Sequence, residues 1–295
     1  MGNFLGLLVS GILLGGLYAG MALGIVLLTK SSKIFNFSHG EMAVVGAYSI
    51  WTFAVQFHLP IYLVALLTIA LIVMLAIVVE RAVIRPLIGQ PLLSVILVTL
   101  GLGQILSGSV TLLWPGSGRV YPEVIPSTYI NLLYFNLPLQ RFLCFLVSLG
   151  VFLAFMAFFH FTRTGLAMRA ISEDPQLSQS RGIRVTEMFR KAWFISILTA
   201  VIIGMLLASF FGVERSAIEE FTIKAFVVVI LGGLESIGGA LIAGFILGVV
   251  EIMILGYIDP FVKGGLSELV PFLVMLLVLI FKPYGLFGYV RIERI

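Results

Sequence analysis

Charge is what this chain has least of. Only 11% of its 295 residues are Asp, Glu, Lys or Arg, and none of these falls within residues 1–29. With 60% hydrophobic residues and a mean hydropathy of +1.16, the chain has too little polar surface to cover a soluble core of its size. Cysteine is almost absent too. Cys144 stands alone in an apolar run, which excludes a disulfide or a cysteine-based metal site within one chain. His39, His58 and His160 are scattered without matching Cys or carboxylate spacing, so no metal ligand set is expected. The phosphate-cradling pattern G-x-x-x-x-G-K-[ST] does not occur, and ATP hydrolysis is not expected of the chain itself. No basic stretch is interleaved with aromatics as a nucleic-acid groove would be, so nucleic acid is not an expected partner.

What is present is long apolar sequence. Residues 4–28 exceed the roughly 20 apolar residues that cross a bilayer core, and Met-Gly-Asn before them lacks the basic start of a cleavable leader. This run is read as a first membrane span. Further uncharged runs follow at 42–57, 61–79, 92–113, 142–159, 192–213, 225–234, 237–250 and 269–281. The expected fold is an all-α integral membrane protein, a polytopic bundle of eight or nine transmembrane segments. Runs 225–234 and 237–250 are separated only by Glu235 and Ser236, with Gly232-Gly233 before and Gly238-Gly239 after. They are read as a broken or re-entrant element, of the kind tolerated at membrane depth where protein or a water-filled cavity satisfies the backbone.

Cytoplasmic loops collect Lys and Arg. With nine crossings and the amino end outside, only Arg119, Arg141, Arg215, Lys224 and Lys263 lie on the outer side, and the other thirteen of the 18 basic residues lie inside. The longest inner loop, 163–191, reads RTGLAMRAISEDPQLSQSRGIRVTEMFRK. Asp174 can cap a helix, Pro175 suits its first position, and Gly182 can end it, which predicts a short polar helix over 175–181. Physics alone leaves this loop either as a docking element or as a solvated connection.

The stretch IFNFSHGEMAVVGAY, residues 34–48, gathers Asn36, Ser38, His39, Gly40 and Glu41 in otherwise apolar surroundings. Ser38 and Glu41 fit a capping box, Ser38 accepting from the Glu41 amide while the Glu41 carboxylate reaches back to the Ser38 amide. Capping needs neither Asn36 nor His39, and a helix amino end set inside the membrane suits an anionic group such as an amino-acid carboxylate. The two readings are compatible. Glu251, directly after an apolar run, is an intramembrane acid and hence a functional candidate; the nearby Gly256, Tyr257 and Asp259 favour a plain position at the outer interface. Gly11, Gly15, Gly16, Gly20 and Gly24 recur on one helical face and favour close helix packing over a pore lining.

NFSHGEMAVVGAY resembles the N-F-A-H-G-E, G-A-Y pattern of the LivH family, permease subunits of ABC importers for branched-chain amino acids. ERAVIRPL (80–87), GLAMRAISEDPQLSQSRGI (165–183) and KAFVVVILGGLESIGGALIAGFILG (224–248) match in the same order, so the resemblance covers nearly the whole chain. It implies a single transmembrane permease domain over 1–295, multi-pass in a bacterial or archaeal cytoplasmic (inner) membrane among its lipid. It also implies a LivM-like permease subunit, two cytoplasmic ATPase subunits and an extracytoplasmic substrate-binding protein as partners, in an assembly whose permease pair is a heterodimer or a homodimer. ATP is used by the partner subunits, with no cofactor on this chain. Asn36, Ser38, His39, Gly40 and Glu41 become translocation-pathway candidates. Arg169, Asp174, Pro175 and Gly182, in the cytoplasmic coupling loop 163–191, match the segment that docks on the ATPase. Glu235, Ser38 and the pair Arg190-Lys191 depart from the family's usual small or apolar residues. They weaken the inference of substrate, so urea or another small solute stays open beside an amino acid.

An ion-coupled secondary carrier, with Glu251 or Glu41 as the coupling group, is the alternative outside the ABC class. A membrane enzyme using His39 and Glu41 is weaker, because no nucleophile and oxyanion arrangement surrounds them. The basic count generates a topology prediction. Cysteines introduced beside Arg119 and Lys263 should react with an impermeant reagent in intact cells, and Arg181→Cys only after permeabilisation; labelling of Arg181→Cys in intact cells overturns the arrangement.

Overall fold

In hydrocarbon, backbone N–H and C=O groups have no water to bond, so an apolar run must satisfy them within itself as a helix. The computed structural model describes residues 2–87, 90–116, 118–119, 128–132, 135–262 and 264–288, and it follows this rule. In chain order the helices are α1 (Gly2–Ser32), α2 (His39–Trp51), α3 (Ile61–Val79), α4 (Arg85–Leu87), α5 (Leu92–Leu113), α6 (Leu139–Phe161), α7 (Arg163–Glu173), α8 (Pro175–Ser180), α9 (Val185–Phe211), α10 (Arg215–Gly232), α11 (Ile237–Tyr257) and α12 (Leu266–Phe281). Single π turns extend α2 over Thr52–Gln56 and join α3 to α4 over Glu80–Ile84. Among the described residues six helical stretches are long and apolar enough to cross a membrane: Phe4–Ser32, Ile61–Leu87, Leu93–Leu113, Leu139–Phe161, Val185–Phe211 and Ile237–Tyr257; α12 is a shorter apolar helix. The protein is an all-α membrane protein in its architecture, with one small departure. Strands β1 (Tyr129–Leu132) and β2 (Phe135–Pro138) pair antiparallel, Tyr129 facing Pro138 and Leu132 facing Phe135.

Contacts gather the chain into two compact units. The first comprises 1–26, 125–152 and 223–295. Here α1 and α11 approach closely through small residues. A Cβ added to Gly11 would lie 2.6 Å from Val249 Cα, and one added to Gly15 would lie 2.7 Å from the Gly244 carbonyl. Gly244 and Gly248 meet α1 as tightly in return, so two G-x-x-x-G faces pack on each other. Between α10 and α11 the chain reverses at Gly233, whose φ of 101° is open to glycine, and the Ser236 hydroxyl accepts the Gly239 amide at 3.0 Å to start α11. The helix break thus falls at the glycines, but the first apolar run is only the second half of α10.

That unit also revises two sequence readings. Glu251 is buried, not an exposed interface residue: its Oε2 accepts from Tyr18 at 2.7 Å and its Oε1 from Lys224 at 2.8 Å. Lys224 is likewise a buried residue within α10 and not part of a loop. Each charge finds its partner on a neighbouring turn or helix, and a paired buried charge is the form hydrocarbon tolerates.

The second unit comprises 27–124 and 153–222, and its most extensive helix pair is α2 on α9. Small residues again set the distance. A Cβ on Gly46 would sit 2.7 Å from the Val201 carbonyl, and one on Gly204 would collide with the Ala43 backbone. By contrast α3 leaves much of its surface uncovered by this chain, with Leu66, Ile69 and Met74 each more than half exposed.

This packing yields a prediction about stability. Gly204→Leu must push α2 from α9 and should cost about 1–3 kcal/mol, the usual range for overpacking, read as a lowered thermal midpoint in detergent. Gly108→Ala on exposed α5 surface, where a Cβ meets nothing within 4 Å, should leave the midpoint unchanged or raised. Equal midpoints for wild type and Gly204→Leu would show that the α2–α9 approach is not tight.

Candidate functional site

Helix α2 begins inside the bundle. Its first residue, His39, lies against Ser196, Nδ1 to Oγ at 3.2 Å. Ser196 stands about three turns into α9, about 16 Å along it at roughly 1.5 Å per residue. Asn36, Ser38 and His39 are fully buried there. The amino end of α2 is therefore buried against the middle of α9.

The capping box, however, does not form. Ser38 is the residue before α2, but its side chain makes no cap hydrogen bond. Asn36 takes that role: its Oδ1 accepts the Ser38 hydroxyl at 2.6 Å and the Ser38 amide at 3.0 Å, an Asx turn that folds the chain into the helix. With both Ser38 donors engaged, Glu41 is released from capping and turns toward Arg215, its Oε1 3.7 Å from Nη2. Its Oε2 is buried without a hydrogen-bond partner among the described residues. Gly40 is where it is for space, since a Cβ would lie 2.9 Å from Thr222 Oγ1.

Arg215 is the residue the sequence reading placed in an outer loop and the structure places in the site. From the first turn of α10 it pairs with Glu219, donates to Ser107 Oγ, and donates to Thr111 Oγ1 at 2.9 Å. One guanidinium fork thus spans α2, α5 and α10. The signal in the sequence was the i, i+4 spacing of Arg215 and Glu219 ahead of an apolar run. Ser107 and Thr111, four apart on α5, carry no comparable signal.

Beside this cluster lies a cavity of 350 Å³ lined by Tyr48, Val110, Trp114, Glu214, Arg215 and Glu219, among others. Tyr48 and Trp114 pack as a tilted pair, 5.4 Å between ring centroids, and the Trp114 indole donates to Thr52 Oγ1 at 2.7 Å. A guanidinium, two carboxylates and aromatic and aliphatic walls can accept a small molecule carrying both charges and an apolar group.

The four candidate residues of segment 163–191 lie apart from this cluster. Asp174 caps α8 as expected, its Oδ1 accepting the Gln176 and Leu177 amides at 2.9 Å each. Pro175 is the first helical residue and α8 ends at Ser180, one residue short of the predicted end. Gly182, with φ 84°, donates to Gln179, while Ile183 donates back to Ser178; this is a Schellman end. Arg169 Nη2 donates to the His160 carbonyl at 3.1 Å. The predicted loop is mostly helix, with α9 starting at Val185. Lys33 Nζ reaches Ser172 of α7 at 3.3 Å, which ties this segment to the chain three residues before Asn36.

The Asx turn makes a distinguishing prediction. Asn36→Ala strands two buried Ser38 donors and should cost about 1–3 kcal/mol each way such groups are usually measured, lowering folded yield and thermal midpoint. Ser38→Ala removes one donor only and should cost less; a larger loss for Ser38→Ala would reinstate the capping box.

Comparisons with known proteins bear on the same chain. A family described as branched-chain amino acid transport system / permease component matches residues 7–279. The high-affinity branched-chain amino acid transport system permease protein BraD of Pseudomonas aeruginosa is 28% identical, over 99% of this chain and 98% of the relative. The LivH protein of Salmonella typhimurium, of the same description, is 28% identical over the same shares. A probable branched-chain amino acid transport permease LivH of Methanocaldococcus jannaschii is 28% identical over 91% of this chain and 87% of the relative. No solved structure matches. With the family match covering nearly every described helix, the chain belongs to the branched-chain amino acid transport system permease component family.

Proposed function

We propose that this chain is the membrane permease subunit of an ABC importer that carries an amino acid, a branched-chain one first. The observation that carries the reading is the end-to-end likeness to permeases of branched-chain amino acid systems. The site supports it. In a 350 Å³ cavity, Arg215 offers a fork for a carboxylate, Glu214 and Glu219 offer partners for an ammonium, and Val110 with Trp114 offers apolar surface. The substrate carboxylate would exchange with Glu219 on the guanidinium, then pass toward Glu41, His39, Ser38 and Asn36 at the amino end of α2.

In this reading the permease works with a second permease subunit, two cytoplasmic ATPases that use the ATP, and an extracytoplasmic binding protein. It resides in the cytoplasmic membrane. Counting α2, α10 and α12 with the six long apolar helices gives nine crossings, α10 and α11 being the pair joined at the Gly233 break. Segment 163–191 receives the stroke, and the Lys33 to Ser172 contact relays it to the turn at Asn36.

Proteoliposomes holding all subunits test the proposal. Uptake of labelled leucine should require ATP and the ATPases and survive a protonophore; uptake that collapses with the protonophore and persists without the ATPases selects a carrier. Asp174→Ala removes a cap worth about 1 kcal/mol, and Gly182→Val opposes a left-handed backbone. Both should lower substrate-stimulated ATP hydrolysis and uptake together while membrane insertion stays normal. Unchanged coupling in both would make the loop a plain connection.

A further inference from the structure

Away from the polar cluster, α3, α6 and α9 enclose a groove of 710 Å³. Its floor and its rim differ in chemistry. The floor is apolar, with Val73 and Ile77 from α3, Phe155 and Phe158 from α6, and Phe194 and Leu198 from α9. The rim holds Arg81, Arg85, Arg190 and Lys191 with Glu80. Two helices repeat the same order at four-residue spacing: Val73, Ile77, Arg81 and Arg85 on one, Leu198, Phe194 and Arg190 on the other. Four-residue spacing keeps such side chains on one helical face, so both faces run from apolar to cationic toward the same end.

Among the described residues the rim is only partly neutralised from within. Glu80 Oε1 is shared by Arg190 Nε at 3.1 Å and Arg85 Nε at 3.7 Å, and Lys191 pairs with Glu187 at 2.9 Å. Among the described residues four cations therefore stand against two carboxylates. Arg85 and Arg190 side chains remain 64% and 51% exposed, within reach of an outside anion. The apolar floor belongs in part to α3, which carries no charged residue and leaves most of its side chains unburied. A groove that is apolar along its length and gathers positive charge at its end has the polarity of a phospholipid read from tail to headgroup.

We propose that this groove is a binding site for an anionic glycerophospholipid, its phosphate held by Arg81, Arg85, Arg190 and Lys191 and an acyl chain laid along Val73, Ile77, Phe155 and Phe194. A free anion would use the rim but leave the floor empty. A zwitterionic lipid would use the floor but bring a cation to a rim already in cationic excess. Thr164, at the start of α7, also lines the groove, so the lipid abuts the coupling segment. The site is independent of which solute the permease carries.

Native mass spectrometry on the detergent-purified, delipidated transporter tests this, with phosphatidylglycerol and phosphatidylcholine of equal chain length added in turn. Phosphatidylglycerol should be retained preferentially. Arg81→Gln and Arg190→Gln should each weaken its retention about fivefold, the usual worth of one basic residue beside an anionic headgroup, whereas Arg81→Lys and Arg190→Lys retain it. Val73→Trp fills the floor without altering charge and should also weaken retention. Equal retention of both lipids, displacement of phosphatidylglycerol by glycerol phosphate at equal concentration, or undiminished retention in Val73→Trp would each overturn the proposal. Should a glutamine variant misfold, the lipid comparison in wild type and Val73→Trp decides alone.

Discussion

The close approach of α2 to α9 is the contact on which the second unit depends. Gly46 and Gly204 let two backbones meet where any larger residue would hold them apart. In lipid, apolar side chains gain nothing by leaving one hydrocarbon for another, so contact area between backbones and interhelical hydrogen bonds must do the holding. That approach carries His39 to Ser196 and sets the amino end of α2 about three turns deep along α9. Polar groups at such depth are costly unless bonded to one another. Asn36 holding Ser38, His39 beside Ser196, and Arg215 spanning α2, α5 and α10 are consequences of placing a helix start there.

The first unit solves the same problem with the same materials and a different outcome. Gly11 and Gly15 pack against Gly244 and Gly248. Around them the charges close on themselves: both Glu251 oxygens are taken, one by Tyr18 and one by Lys224. In the second unit Glu41 keeps one buried oxygen without a hydrogen-bond partner among the described residues, and a cavity opens beside Arg215 and Glu219. A satisfied buried pair holds helices together. An under-satisfied one, next to empty space, is where a charged solute has something to gain. This contrast is the physical ground for proposing a route at Glu41 and Arg215 and for giving Glu251 a structural role.

Much was legible in the sequence because the relevant physics is local. Hydrocarbon demands helices from any long uncharged run, and the runs at 61–79 and 92–113 became α3 and α5 with the same bounds. Local chemistry also fixed both ends of α8, where Asp174 and Gly182 act within a few residues of themselves. The glycine face of α1 announced close packing, though not its partner on α11. What depended on distant residues could not be read. Ser38 and Glu41 have capping-box spacing, yet Asn36 competes for Ser38 and Arg215, far along the chain, draws Glu41 away. Lys224 and Arg215 counted as loop charges because spacing says nothing of which carboxylate lies across a helix interface. Composition, the bounds of α3 and α5 and the capped ends of α8 were thus determined by the sequence alone, while the pairing of charges, the start of α2 and the cavity beside Arg215 were decided only when the helices packed, because each is a relation between segments far apart in the chain.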